Sequence, residues 1–319
     1  MKNFWQSLPR PFFALAPMDD VTDTVFRQIV ASCGKPDVFF TEFVSCEGLC
    51  SPGRDRLLPK LKFSEKERPV VAQIWGSKPE NFLQTAKLVK NLGFDGVDIN
   101  MGCPDRSVMK AGGGGVMIKD PVLVKEVILA AKEGAGELPL SVKTRVGFDK
   151  IQIESWIGNL LELNLQALTI HGRTVKELSK VPAHWEEIGK AVQLRDQMKA
   201  ETLIIGNGDV ESYGDGLEKC KIFGVDGAMI GRGIFDNLWF FDSRVDPQKI
   251  TSENQLKVLL EHAKLFEDTW GNSKNFAILK KFFKAYVRGF KGASKLRESL
   301  METRSLQEIK EQLLRAGQL

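Results

Sequence analysis

The 319-residue chain predicts an α/β protein, a (β/α)8 TIM barrel followed by a small C-terminal all-helical domain. Three observations predict it. From Phe12 onward short apolar runs alternate with longer stretches of helical periodicity, the pattern of a parallel sheet with crossover helices. Eight such units fit into about 230 residues, which matches the size of an eight-stranded barrel. After residue 252 only helical periodicity remains.

In order, the apolar runs are Phe12–Ala16, Val38–Thr41, Val70–Ile74, Gly96–Ile99, Leu140–Lys143, Ala167–Ile170, Thr202–Ile205 and Gly227–Ile230. They are near-continuous in Val, Ile, Leu and Phe, as strands buried on both faces are. Between them, Pro79–Asn91 carries Phe82, Leu83, Ala86, Leu88 and Val89 in helical register, and Asp120–Lys132 opens with an Asp cap and a proline at the first helical position. Asp242, Asp246 and Pro247 break the pattern between Phe241 and Ser252. That break predicts a catalytic barrel over residues 1–240 and a helical domain over 252–319. The domain's apolar positions are Leu256, Leu259, Leu260 and Ala263, then Phe276, Leu279, Phe282 and Phe283, then Leu306, Ile309 and Leu313.

Composition narrows the class. No apolar stretch approaches the roughly 20 residues of a membrane span. The run Phe12–Ala16 lies between Pro11 and Pro17 and is too short for a signal peptide, so a cytoplasmic monomer away from membranes is the expectation. Cys33, Cys46, Cys50, Cys103 and Cys220 are odd in number and form no C-x-x-C pair, and only His171, His184 and His262 are present, which argues against a disulfide framework and a metal site. Charge is unevenly divided. Residues 251–319 hold thirteen Lys and Arg against eight Asp and Glu, a net +5, leaving 32 against 33, or −1, for residues 1–250. The stretch from Lys274 through Lys280, Lys281, Lys284, Arg288, Lys291 and Lys295 to Arg297 contains no acid, which points to a polyanionic partner.

A barrel places its chemistry at the carboxyl ends of its strands. Those ends read Pro17-Met18-Asp19, Thr41-Glu42, Gln73-Ile-Trp-Gly76, Asn100-Met-Gly-Cys103, Lys143-Thr-Arg145, His171-Gly-Arg-Thr174, Asn207-Gly-Asp209 and Gly231-Arg232-Gly233. Gly102 and Pro104 bracket Cys103 and hold the thiol at a defined point. The last two loops, Asn207-Gly208-Asp209 and Gly231-Arg232, lie where barrels often take a phosphate, the first glycine-rich and the second carrying a guanidinium. Gly112–Gly115 is not a P-loop, since no Lys-Ser or Lys-Thr follows at the required spacing, and reads as a mobile loop beside Cys103 or a tight entry to the Asp120 helix.

Together Asn100-Met-Gly-Cys-Pro104, Ala16-Pro-Met18 with Val21-Thr-Asp23, Gln73, Lys143-Thr-Arg145, His171-Gly-Arg-Thr174, Asn207-Gly-Asp209 and Gly231-Arg232 resemble the tRNA-dihydrouridine synthases, with the likeness running from about Phe12 to Arg315. It extends into Tyr286-Val-Arg-Gly-Phe290 and Ala293–Leu300. The resemblance implies an FMN enzyme that uses NADPH to reduce the C5=C6 bond of uridines in tRNA. It further implies that Pro17, Met18 and Asp19 underlie the flavin, that Gln73, Lys143 and His171 contact it, that Asn207, Gly208, Asp209, Gly231 and Arg232 take its phosphate, and that Cys103 donates the proton. Two departures stand out: Asp19-Asp20 where the family often has small residues, and Glu177-Leu-Ser-Lys-Val-Pro-Ala-His184 where it commonly has a tyrosine and glycine pair.

The chemistry of each position agrees. Hydride added at C6 of uracil leaves an enolate that needs a proton at C5, and a positioned acid must give it. Cys103 meets that need only as a thiol, so its pKa should not be depressed. Lys143 offers a cation where a reduced flavin gains negative charge. Asn100 carries a donor and an acceptor suited to the uracil edge, Arg145 and Arg173 are candidates for the nucleotide or for structural ion pairs, and Lys280, Lys281, Lys284 and Arg288 for the tRNA backbone. Two other readings remain open from the residues: a flavin barrel acting on a small pyrimidine or enone, and a non-catalytic RNA-binding protein.

Overall fold

The computed structural model describes residues 3–319. Nine parallel strands form one sheet: β1 (Phe12–Leu15), β2 (Val38–Phe40), β3 (Val44–Ser45), β4 (Val70–Trp75), β5 (Gly96–Met101), β6 (Leu140–Arg145), β7 (Ala167–His171), β8 (Leu203–Asn207) and β9 (Gly227–Ile230). Their hydrogen-bonded order is β2-β1-β9-β8-β7-β6-β5-β4, and a β2–β4 pairing closes the ring into an eight-stranded barrel. All eight expected runs are strands of that barrel. The ninth, β3, was not anticipated, because two residues leave no periodic signal. It pairs Val44 with Ile74 and Ser45 with Trp75, continuing the wall where β2 has ended against Val70 and Val71.

Inward-facing side chains follow the two-residue period of a strand. At the amino end they are Phe12, Ala14, Val38, Phe40, Val71, Ala167, Ile205 and Met229, a fully buried apolar floor. Trp5, from the short turn Phe4–Ser7, plugs this end, with its ring 5.8 Å from Phe12 and 6.4 Å from Phe40. Outside, the helices Pro79–Asn91 and Pro121–Ala135 pack side by side, and Asp120 caps the second by accepting from the Leu123 amide at 3.0 Å.

By compactness the chain forms two units, one holding residues up to Thr22 with Pro36–Gly231, the other Asp23–Lys35 with Arg232–Leu319. This division falls earlier than the break in periodicity at 241–252 and adds the helix Thr24–Cys33 to the second unit. The reason is an aromatic cluster: Phe26 of that helix lies 4.7 Å from Phe282 and 6.0 Å from Phe235. Periodicity marks where strands stop; the cluster marks where a second core begins. Within it, the 19-residue helix Ser252–Trp270 carries His262, whose Nδ1 lies 2.6 Å from the Tyr286 hydroxyl. The helices Ala293–Leu300 and Leu306–Arg315 complete the unit. Among the described residues no helix is long and apolar enough to cross a membrane.

Candidate active site at the carboxyl rim of the barrel

Strand β5 delivers Cys103 to the rim, and four backbone contacts hold it there. Asn100 Oδ1 accepts from the amides of Gly102 at 3.1 Å and Cys103 at 2.9 Å. Arg145 Nε donates to the Gly102 carbonyl at 2.8 Å, and the Gly115 amide to the Cys103 carbonyl at 2.9 Å. The glycine run read as a mobile loop is packed here: Gly113, Gly114 and Gly115 are buried. A Cβ on Gly114, whose φ is +62°, would lie 2.8 Å from the Cys103 carbonyl, so close approach to the thiol's backbone is what demands glycine. Burial of the half-buried Cys103 raises its thiol above the ordinary value, with the Asp105 carboxylate adding to the rise; an Asp105 backbone hydrogen bond and the charges of Arg145 and Lys143 oppose it. The thiol is therefore kept protonated, as an acid rather than a nucleophile requires.

Beneath this loop lies a chain of polar side chains in the barrel interior. Asn100 Nδ2 donates to Gln73 Oε1 at 2.9 Å, Gln73 Nε2 donates to Asp98 Oδ2 at 2.7 Å, and Ser141 Oγ donates to Asp98 Oδ1 at 2.6 Å. Both Asn100 lone pairs go to the Cys103 loop, so its free capacity toward a ligand is one N–H, not the donor and acceptor expected from sequence. Burial lifts Asp98 to about 6, moderated by Ser141, Gln73 and the Lys143 cation.

Lys143 donates to Asn207 Oδ1 at 3.1 Å, and the Asn207 amide nitrogen donates to the Met229 carbonyl at 2.8 Å. Burial lowers Lys143 to about 8, aided by Arg145, while Asp98 and Cys103 pull it back up. His171 is set by Arg173, whose guanidinium lies 3.2 Å from His171 Nε2 and pairs with Asp209. Gly208 has φ +121°, and a Cβ there would meet Ala183 at 2.8 Å and the His171 ring at 3.1 Å. Thr169, between Lys143 and Ile205 in register, has a buried hydroxyl without a partner among the described residues.

Arg145 and Arg173, candidates for the nucleotide, are both buried and committed to the protein. Arg145 Nη1 donates to the carbonyls of Thr174 and Leu178, each at 3.0 Å, and Arg173 Nε to Val181 at 2.5 Å. Leu178 and Val181 lie in the Glu177–His184 segment that departs from the family pattern. Glu177 ties that segment together, accepting from the Thr174 amide at 2.7 Å and lying 3.0 Å from His184 Nε2.

Met18 turns the chain after β1, its amide donating to Thr22 Oγ1 at 2.9 Å. Asp19 pairs with Lys60 within the barrel unit, and the Asp20 amide donates to the buried Glu42 at 2.8 Å. Pro17 precedes this turn, and Gly231 follows β9. Arg232 is exposed and opens the turn Arg232–Phe235 of the second unit. In that unit Lys280 and Arg288 donate to the carbonyls of Met301 and Asp236, whereas Lys281, Lys284, Lys291 and Lys295 are exposed.

Sequence reasoning missed Asp98, Ser141 and Thr169. A signal existed for Asp98: a carboxylate two residues before Asn100 in a strand buried on both faces must point inward with Asn100.

The chain matches the family model described as Dihydrouridine synthase (Dus) over residues 14–318. It is 47% identical over 312 residues to the "Probable tRNA-dihydrouridine synthase" of Staphylococcus aureus (strain COL), covering 97% of this chain and 94% of that one. It is 46% identical to the "Probable tRNA-dihydrouridine synthase 2" of Bacillus subtilis (strain 168), covering 97% and 95%. Among solved structures, histamine dehydrogenase from Rhizobium sp. 4-9 is similar in fold, with a TM-score of 0.54 at 12% identity over 79% of this chain and 48% of that one.

Proposed function

This chain belongs to the dihydrouridine synthase family of oxidoreductases, and from that premise we propose that it is an FMN-dependent tRNA-dihydrouridine synthase driven by NADPH. The observation that carries the reading is Cys103: a thiol fixed by four backbone contacts and kept protonated by burial, beside an inward-facing cation, Lys143.

The residues present fit the cofactor. A polar ring that gains negative charge needs donors and a cation, and the rim offers Lys143, one N–H from Gln73, His171 and the unpartnered Thr169 hydroxyl. Pro17, Met18 and Asp19 would lie under it. Asn207, Gly208, Asp209 and Gly231 with Arg232 would take its phosphate, Gly208 because a side chain there would collide with His171. Bound FMN, reduced by NADPH, supplies the hydride that saturates C6 of the uracil.

The chain's own residues do the rest. Asn100 directs its remaining N–H at the base edge while its carbonyl holds the Cys103 amide. The Cys103 S–H bond breaks as the proton passes to C5, and the thiolate left behind is stabilised by the nearby charges of Arg145 and Lys143. Because Cys103 is half-buried, a solvent proton restores the thiol. Arg145 and Arg173 act by holding the Cys103 loop and His171. Lys281 and Lys284, with Lys291 and Lys295, offer exposed cations to tRNA phosphates, which must be gripped to offset the cost of extruding a base. Lys280 and Arg288 contribute to that surface from carbonyl-anchored positions.

The test is purified protein incubated with NADPH and tRNA. The protein should be yellow, release FMN, and convert uridines of tRNA to dihydrouridine while leaving free uracil nearly untouched. Faster reduction of free pyrimidines or enones than of tRNA would overturn the substrate assignment, and a colourless protein that still binds tRNA would make it a binding module.

A further inference from the structure

We propose that Asp98 is a positioning residue for uridine reduction, acting through the side-chain amides of Gln73 and Asn100 to fix the backbone that carries Cys103. The proposal rests on the reading of Cys103 as the acid. Its basis is a directional chain of hydrogen bonds on strands β4, β5 and β6. An ionised carboxylate only accepts, so Asp98 takes the Gln73 NH2 at 2.7 Å. The Gln73 carbonyl then faces Asn100 and accepts its NH2 at 2.9 Å. The Asn100 carbonyl is thereby aimed at the Gly102 and Cys103 amides, at 3.1 and 2.9 Å. Either amide turned over would set donor against donor at one end of the chain. Asp98 is fully buried, so solvent cannot stand in for it.

What faces Asp98 from the packed strands is limited: neutral Gln73 from β4, and Ser141 and the Lys143 cation from β6. The carboxylate titrates near 6. Above that pH it anchors the chain as an acceptor. Below it, the neutral carboxyl still offers Gln73 a carbonyl oxygen but loses the charge-assisted bond, so the anchor weakens to what an asparagine gives.

The experiment uses Asp98→Ala, Asp98→Asn and Ser141→Ala. Ser141→Ala removes the other hydrogen bond to the same carboxylate and leaves the Gln73 arm intact, so it controls for a merely structural role. Asp98→Ala should lower the rate of uridine reduction by prereduced enzyme about 10²-fold, the loss an ångström of misplacement brings. KM for tRNA and the rate of flavin reduction by NADPH should change little. Asp98→Asn, which can still present an oxygen to Gln73, should recover most of the rate, and Ser141→Ala, which removes a bond that holds the Asp98 pKa down, should stay near wild type at alkaline pH, where the carboxylate remains ionised. In flavin-free protein, hydrogen exchange at Gly102 and Cys103 should quicken in Asp98→Ala. In the wild type, protection of those amides should fall below about pH 6, and Asp98→Asn should abolish that pH dependence, a comparison that stands even if Asp98→Ala does not fold. Equal losses in Ser141→Ala and Asp98→Ala at alkaline pH, or pH-independent protection in the wild type, would overturn the proposal. Exchange reads Asp98 whether or not Cys103 is the acid, whereas full activity in Cys103→Ala would sink the acid alone.

Discussion

The two halves of the barrel interior differ although the same strands build them. On β4, β7 and β8 the inward positions run from Val71 to Gln73, from Ala167 to Thr169 and His171, and from Ile205 to Asn207, changing from apolar to polar within two residues. The floor gains from burial, at about 25 cal/mol for each Å² of apolar surface removed from water. The rim does not. Burial pushes Asp98 up to about 6 and Lys143 down to about 8, both toward their neutral forms, which means the charged forms cost the fold stability at neutral pH. One half of the cavity is there to hold the barrel closed, and the other is held by it.

Cys103→Ala should give the largest effect and the sharpest break between the halves. Loss of the acid should slow dihydrouridine formation by about 10²- to 10⁴-fold, the usual span for a general acid. The alanine keeps the Cβ that packs against Gly114, so the melting temperature and flavin content should not move. Assay of tRNA for dihydrouridine beside the flavin absorbance checks both, and an active variant would remove Cys103 from the mechanism. Phe12→Ala is the converse. Phe12 is fully buried against Trp5, and its truncation should cost about 3–5 kcal/mol while activity per folded molecule stays close to wild type. A urea titration reads the first and an active-site-normalised rate the second; a floor variant that kept its stability but lost its rate would erase the distinction.

How much of this was legible follows the same boundary. The strands were readable because a strand buried on both faces is a continuous apolar run, and the rim because Asn100, Cys103, Lys143, His171 and Asn207 interrupt those runs at their ends. Partnership was not readable. Arg145 and Arg173 read in sequence as nucleotide contacts or as structural ion-pair partners, and which carbonyls they hold, at residues 102 and 174–181, is joined to them by no local pattern. Asp98 was hidden inside a run read as apolar. The second unit's border was displaced because Phe26 and Phe282, 256 positions apart, share a core that periodicity does not see.

Charge reversal in the second unit supplies a smaller effect outside both halves. Lys281→Glu with Lys284→Glu should weaken tRNA binding and reduce the salt dependence of affinity by about one phosphate contact per lysine lost. Flavin content and stability should be unchanged, since both side chains are exposed. Filter binding across a salt series would expose the error if affinity fell with an unaltered slope.

Lys143→Met is the smallest effect and the closest test of the claim that the rim costs stability. The folded lysine titrates near 8, against about 10.4 unfolded. Between those values the unfolded chain holds a proton that the folded chain has released, so wild-type stability should rise with pH across that window, and the methionine variant should lack the rise. Below pH 8 the folded lysine is charged, and the variant, freed from burying that charge, should be the more stable. Removing the cation also deprives Asp98 of its counter-charge, which works the other way and keeps the net gain small. Desolvation is the larger cause for Lys143, so the sign should hold. Flavin affinity should fall in the same variant. A Lys143→Met protein less stable than wild type at pH 7, with no loss of flavin, would mean that the rim stabilises the barrel as the floor does.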